Sequence, residues 1–217
     1  MGGSNRRLTG HRGNPGGRIA ALLVTACVLA ACATQRGVDL PDISAWDRRT
    51  AVLGALDHFE FSGRIGVKYA DDGFNGKFRW EQAGAGFDAR LSGPLGIGTV
   101  LIEGDGQAVE VTDNDGVTTI LTDVEADLYQ RYGWTIPVDS LRYWALGIPD
   151  PRVPAETEFG PAGELTELRQ RGWTVAVSGY RDAGGGQQMP ARLTAENPNT
   201  RVRLVIDRWT FREEIEA

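Results

Sequence analysis

The sequence predicts a mainly β, α+β fold: one large curved antiparallel sheet or barrel of about ten strands with helices laid across its mouth. Three observations carry this reading. From Phe61 onward apolar residues recur at every second position. Further strand-length segments follow, separated by Gly, Asp and Asn turns. A helical stretch divides these segments into two sets. With 217 residues, 41% of them hydrophobic, the chain has enough apolar surface for one domain and an appendage.

The appendage comes first. Residues 1–18 hold Arg6, Arg7, Arg12 and Arg18 and no acid, and residues 19–31 form an uncharged, mostly aliphatic run. A bilayer span needs about 20 residues, so this run fits the apolar region of a secretion signal instead. It ends in Leu29-Ala30-Ala31-Cys32, which resembles the bacterial lipobox, whose Cys is lipidated and becomes the new N-terminus. Val24-Thr25-Ala26-Cys27 fits loosely, but it would leave Val28 to Ala31 as an apolar mature end. The residue after Cys32 is Ala33, not the Asp that acts as an inner-membrane retention signal, which favours the outer membrane. The expected division is therefore 1–31 signal peptide, 32–43 lipidated N-terminus and flexible tether, and 44–217 binding domain. The tether reaches at most roughly 37 Å at about 3.4 Å per residue.

Ser44 is placed to cap a helix running from Ala45 to about Phe59, with Trp46, Val52, Leu53, Leu56 and Phe59 at near-helical spacing. The period then changes to two. Phe61, Gly63, Ile65, Val67 and Tyr69, an Asp71-Asp72-Gly73 turn, and Phe74, Gly76, Phe78 and Trp80 read as a hairpin with one apolar face. Strands are expected at 86–92, 98–104, 107–112 and 116–121, with a turn at Asp113 to Gly116. Thr122-Asp123-Val124-Glu125 reads as a capping box opening a helix to about Tyr132. Asp139 or Ser140 opens another helix through Leu146, stopped by Gly147 and Pro149. A second strand set is expected at about 164–170, 172–180, 190–196 and 201–210. Helices across the mouth of such a sheet enclose an apolar space suited to a hydrophobic ligand.

Composition excludes several classes. Loss of the leader leaves 19 basic against 29 acidic side chains, a charge of about −10, which argues against nucleic acid and anionic headgroups as partners. The mature chain keeps one cysteine, Cys32, and one histidine, His58, at the end of the first expected helix. No disulfide framework, zinc set or Ser-His pair can be assembled from these. Asp113 and Asp115 lack the spacing and closing Glu of an EF-hand, and no phosphate-binding GxxxxGK[ST] occurs. The chain is read as a non-enzyme without metal or cofactor. One loop stands out: Ser92-Gly93-Pro94-Leu95-Gly96-Ile97-Gly98 carries two bare aliphatic residues among turn formers.

In order along the chain, Gly63-Arg64-Ile65, Phe78-Arg79-Trp80-Glu81-Gln82, Gly93-Pro94-Leu95-Gly96, residues 133–138 (GWTIPV), residues 141–149 (LRYWALGIP) and Gln170-Arg171-Gly172-Trp173 resemble the LolB family. The resemblance implies an unclosed antiparallel barrel of about ten or eleven strands, with a helical lid over an apolar cavity. It implies a monomeric lipoprotein, lipid-anchored at Cys32 in the outer membrane and facing the periplasm. Such a protein accepts acylated lipoprotein cargo from a LolA-like periplasmic carrier and places it in the inner leaflet. By the same resemblance Leu95 is the exposed apolar residue of a membrane-insertion loop. Pro94 and Gly96 would hold it outward, and Ile97 would stand at the start of the next strand. Phe61, Ile65, Phe78 and Trp80 on the sheet and Trp144 and Leu146 on the lid are the candidates for the acyl-chain cavity. A lipid-binding or structural lipoprotein that inserts nothing stands as the alternative.

Overall fold

The computed structural model describes residues 37–93, 98–132 and 135–212. The signal, Cys32 and residues 94–97 lie outside the described residues. The first hairpin is β1 (His58–Tyr69) and β2 (Asp72–Ala83), paired residue for residue from His58↔Ala83 to Tyr69↔Asp72. Its alternation works as the sequence predicts: Phe61, Ile65, Val67, Phe78 and Trp80 are buried, while Arg64, Lys68, Lys77 and Arg79 point to water. β3 (Gly86–Ser92), β4 (Thr99–Gly104), β5 (Val109–Thr112) and β6 (Thr118–Leu121) continue the meander on one side. On the other side lie β7 (Glu156–Phe159), β8 (Leu165–Gln170), β9 (Trp173–Ser178), β12 (Arg192–Glu196) and β13 (Thr200–Phe211). A small separate hairpin, β10 (Arg181–Asp182) and β11 (Gln188–Met189), fills the β9–β12 connection.

The eleven main strands run in the order β6-β5-β4-β3-β2-β1-β13-β12-β9-β8-β7. Long β13 against long β1 joins the two halves, with register Phe59↔Phe211 through Tyr69↔Thr200. The sheet stays open: β6 and β7 are its edges, and the chain between them is helical. A bulge at Ser62/Gly63 bends β1. A Cβ at Gly63 would lie 1.9 Å from the Val205 carbonyl oxygen, so only glycine permits this approach.

Three helices are described: α1 (Trp46–Gly54), α2 (Val124–Tyr132) and α3 (Val138–Leu146). α1 is shorter than its apolar spacing suggests. Phe59 and His58 belong to β1 instead, where Phe59 is buried opposite Phe211 and packs its ring on Phe61 and Trp209. Strand pairing with β13 here outweighs a helical repeat. The cap of α2 is also shifted by one residue. Asp123, not Thr122, accepts the Ala126 N–H at 3.1 Å, and Asp127 reaches back to the Thr122 N–H at 3.1 Å. α3 ends as expected on Gly147, at φ 72°.

Residues 37–43, expected within the tether, lie against the fold. Val38 N–H donates to the Phe211 carbonyl at 2.9 Å, Ile43 N–H to Gln187 Oε1 at 3.0 Å, and Leu40 and Ile43 are buried. β7 carries no alternation, having three of four residues exposed, and no sequence signal marks it. The buried residues form a large cluster along β1, β2, β13, β12, β9 and β8, and a small separate one of Val109, Leu121 and Leu128.

Candidate functional site

Between the two clusters lies a cavity of about 500 Å³. Its floor is the concave face of β1 to β6, with Ile65, Phe78, Trp80, Ala89, Leu91, Ile102, Val109 and Leu121. Its roof is Val124 and Leu128 of α2, Ile136, and Val138 and Leu141 of α3. Among the described lining residues the polar ones are Tyr69, Asn75 and the β5–β6 turn, Asp113 to Asp115. That turn is self-contained: Asp113 Oδ1 accepts the Asp115 and Val117 N–H groups at 2.9 and 3.0 Å. Gly93 and Gly98 line the same end. The Gly93 N–H donates to the Gly98 carbonyl at 2.9 Å, closing the root of the loop that carries residues 94–97.

Of the six candidates for the cavity, Ile65, Phe78 and Trp80 line it. Trp80 stacks on Phe87 with ring centres 4.3 Å apart and donates its indole N–H to Gln82 Oε1 at 3.1 Å, so its polar edge is satisfied and its ring stays available to the cavity. Phe61, Trp144 and Leu146 lie elsewhere, in solid core. Phe61 is wedged between Trp80 and Trp209, with ring centres 6.1 and 5.0 Å away. Trp144 and Leu146 occupy the last turn of α3, and Trp144 packs on Trp173. The first turn and middle of α3, through Val138 and Leu141, overhang the cavity instead. Leu128, Val124 and Ile136 are further lining residues that the sequence reading did not single out.

A buried polar node fixes the end of α3. Gln170, 3% exposed, accepts the Trp144 indole N–H at 2.8 Å and the Asp150 N–H at 2.9 Å. Its amide donates to the Asp150 and Val153 carbonyls at 2.8 and 2.6 Å. The Asp150 carboxylate, fully buried, accepts from Ser140 Oγ at 2.8 Å and from the Arg152 backbone and guanidinium at 2.9 to 3.0 Å. On the far side Arg49 of α1 donates to the Leu146 carbonyl at 3.1 Å, capping α3, and to the Gln188 carbonyl at 2.9 Å. Burial lowers the Arg49 pKa. At the cavity end of α3, Ser140 ties the first turn to Asp150 and Arg142 donates to the Leu56 carbonyl at 3.2 Å, while Val138 and Leu141 face the cavity.

Burial alone would push the Asp150 carboxyl up, but the bonds from Arg152 and Ser140 outweigh it and hold it below its ordinary 3.8. A depressed carboxyl contributes stability that is complete above its unfolded pKa and lost as pH falls through its folded value. Stability measured by denaturant should thus fall more steeply below about pH 4 in the natural chain than in Asp150→Asn. Equal slopes in the two chains would show that Asp150 is not coupled to folding.

An open antiparallel sheet curved around an apolar cavity and roofed by short helices is the architecture of a protein that binds apolar ligands. Residues 57–209 match the family model "Outer membrane lipoprotein LolB". The outer-membrane lipoprotein LolB of Cellvibrio japonicus is 32% identical over 192 residues, 86% of this chain and 93% of that protein. That of Nitrosococcus oceani is 32% identical over 198 residues, 88% and 96% of the two chains. A LolA superfamily protein from Nitrosomonas europaea aligns with a TM-score of 0.46 and 10% identity over 74% of this chain and 88% of its own. The chain belongs to the LolB family of outer-membrane lipoproteins.

Proposed function

We propose that this protein takes acylated lipoproteins from a LolA-like periplasmic carrier into the cavity and inserts them into the inner leaflet of the outer membrane, while itself anchored through Cys32. The observation that carries the reading is the cavity of about 500 Å³, lined by aliphatic and aromatic side chains, with the root of the 94–97 loop at its polar end. Each buried CH₂ is worth about 0.8 kcal/mol, so exposing one acyl chain of about fifteen carbons costs on the order of 10 kcal/mol. An apolar cavity removes that barrier, and a descending order of affinities from carrier to receptor to bilayer then drives transfer without nucleotide. No catalytic step is assigned. Ile65, Phe78, Trp80, Val138 and Leu141 are the residues in place to contact an acyl chain; Leu95 is the residue assigned to enter the membrane.

The test is transfer with purified components. Leu95→Glu is expected to fold and to take labelled lipoprotein from the carrier, yet to deliver at least tenfold less of it to liposomes, because a carboxylate opposes entry into an apolar phase. Undiminished delivery would remove the role given to Leu95. Failure of the natural chain to form any cargo complex would overturn the receptor reading in favour of a lipoprotein that only stores lipid or supports structure.

A further inference from the structure

The acidic net charge hides a divided outer face. On the side of the sheet turned away from the cavity, the register sets Glu60, Glu81, Asp88, Glu103 and Glu110 opposite one another across β1 to β5. Toward the end that carries the 94–97 loop, the outer strand positions turn basic, and the acids there, Asp71, Asp72, Asp113 and Asp115, are confined to the turns. Arg79 stands opposite Arg90, Arg64 opposite Lys77, and Lys68 opposite Arg201 of β13. Lys68 and Lys77 are the only lysines in the sequence. Among the described residues, Lys68, Lys77, Arg90 and Arg203 form no ion pair, and all four are exposed. A groove of about 450 Å³ beside the Gly63 bulge is lined by Arg64, Lys77, Arg79 and Arg90, with Asp207 its one carboxylate. Like charges directly opposite on a sheet destabilise it, so an outer face built this way costs stability that a bound anionic surface would offset.

Two further facts say which surface. The described chain enters beside Phe211 and Thr210, at the acidic end of β13 opposite Glu60. Only five residue steps separate Cys32 from Gly37, a reach of at most about 18 Å. The loop root after Ser92 lies at the other end of the same strands, and Ser92 stands opposite Lys77. An anchored N-terminus at one end and the loop at the other bracket β13, β1, β2 and β3. Those strands must therefore incline over the membrane. The acid row lies on the leash side, up to about 18 Å from the surface, roughly two Debye lengths at physiological salt, where its repulsion is screened. The cations lie on the loop side, where each strengthens adhesion to an anionic surface about fivefold.

We infer that the loop-side outer face of β13, β1, β2 and β3 is a docking surface for anionic phospholipid headgroups, with Arg64, Lys68, Lys77, Arg90 and Arg203 as its cations. This rests on the anchor and loop roles proposed above. It gives the cavity a fixed bearing, with its loop end held toward the bilayer.

The test uses the lipidated protein in vesicles of phosphatidylethanolamine with or without phosphatidylglycerol. One dye is attached at Gly66→Cys, on the outer face of β1 opposite Arg203, where an added Cβ meets only ordinary contacts, or at Glu103→Cys in the acid row, and quenchers are carried on lipid headgroups. Quenching at position 66 is expected to exceed that at 103 about threefold with phosphatidylglycerol at low salt, and to fall to the level at 103 in high salt, where the screening length shrinks. The same loss is expected for Lys68→Gln/Lys77→Gln/Arg90→Gln and for the corresponding Glu variant. Equal quenching at both positions, or quenching indifferent to phosphatidylglycerol and salt, would overturn the inference. So would a variant that loses carrier binding in solution while its quenching is unchanged, since the face would then belong to the carrier. Cargo transfer measured in the same vesicles separates the two proposals: transfer without preferential quenching removes only the docking surface, and quenching without transfer removes only the receptor reading.

Discussion

Ala89→Trp is expected to fold and to lose cargo uptake by at least tenfold. Ala89 is buried on β3 between Trp80 and Ile102, at the centre of the cavity floor, and its side chain is the smallest there. An indole at this position extends into open space, so overpacking is avoided, but it occupies room an acyl chain needs. Excluding only two methylenes, at about 0.8 kcal/mol each, already weakens binding about tenfold, and an indole displaces more than that. The measurement is cargo retained after mixing with the loaded carrier, with thermal unfolding as the control. Uptake equal to that of the natural chain in a stable Ala89→Trp protein would show that cargo does not enter this cavity.

Gln170→Leu is expected to destabilise the domain by about 3–5 kcal/mol. The side chain has both hydrogens and both acceptor positions used, and leucine supplies none of them. The Trp144 indole N–H and the Asp150 N–H would be left buried without partners, at about 1–3 kcal/mol each, and two carbonyls would lose donors. Denaturant unfolding reads the loss directly. A change under 1 kcal/mol would mean that water enters and replaces the amide. Because the node clamps the end of α3, the same variant should also weaken cargo retention by loosening the roof.

The parts of this fold that were legible in the sequence are those where one face of a strand meets the core and the other meets water. β1 and β2 are the clearest case, since twelve-residue strands repeat the alternation often enough to fix both period and face. β3 was legible to the residue because glycines bound it. Three features were not. Phe59 fits a helical stripe as well as a strand, and only pairing with distant Phe211 decides between them. β7 is an edge with little burial, so it leaves no pattern. Residues 37–43 look polar and broken, yet Leu40 and Ile43 find cover on elements far along the chain.

The site was half legible for a related reason. Apolar periodicity identifies residues that avoid water but does not distinguish packed space from empty space. Ile65 and Phe61 read alike and sit on the same face of β1, yet one borders the cavity and the other is filled in by Trp209. On α3 the difference is position along one helix: Leu141 overhangs the void, and Trp144, three residues later, is locked by Gln170. The buried node of Gln170, Asp150 and Arg49 could not be read, although Gln170 stands in a family-like stretch, because buried polar residues are recognised only by partners distant in sequence. The net charge misled differently. A sum over the chain conceals the sorting of signs along a strand, which only the register discloses.

The cavity divides the buried residues into a large cluster and a small one of Val109, Leu121 and Leu128. Endurance and accommodation are thereby assigned to different parts of one sheet. The half built on β1, β13, β12 and β9 holds most of the buried apolar side chains. The wall of β5, β6 and α2, at the free edge, is attached by few apolar contacts and yields at little cost. Changes in that wall can widen or narrow the range of cargo with little consequence for whether the protein folds, so related chains are expected to diverge there first while the long central strands keep their pattern.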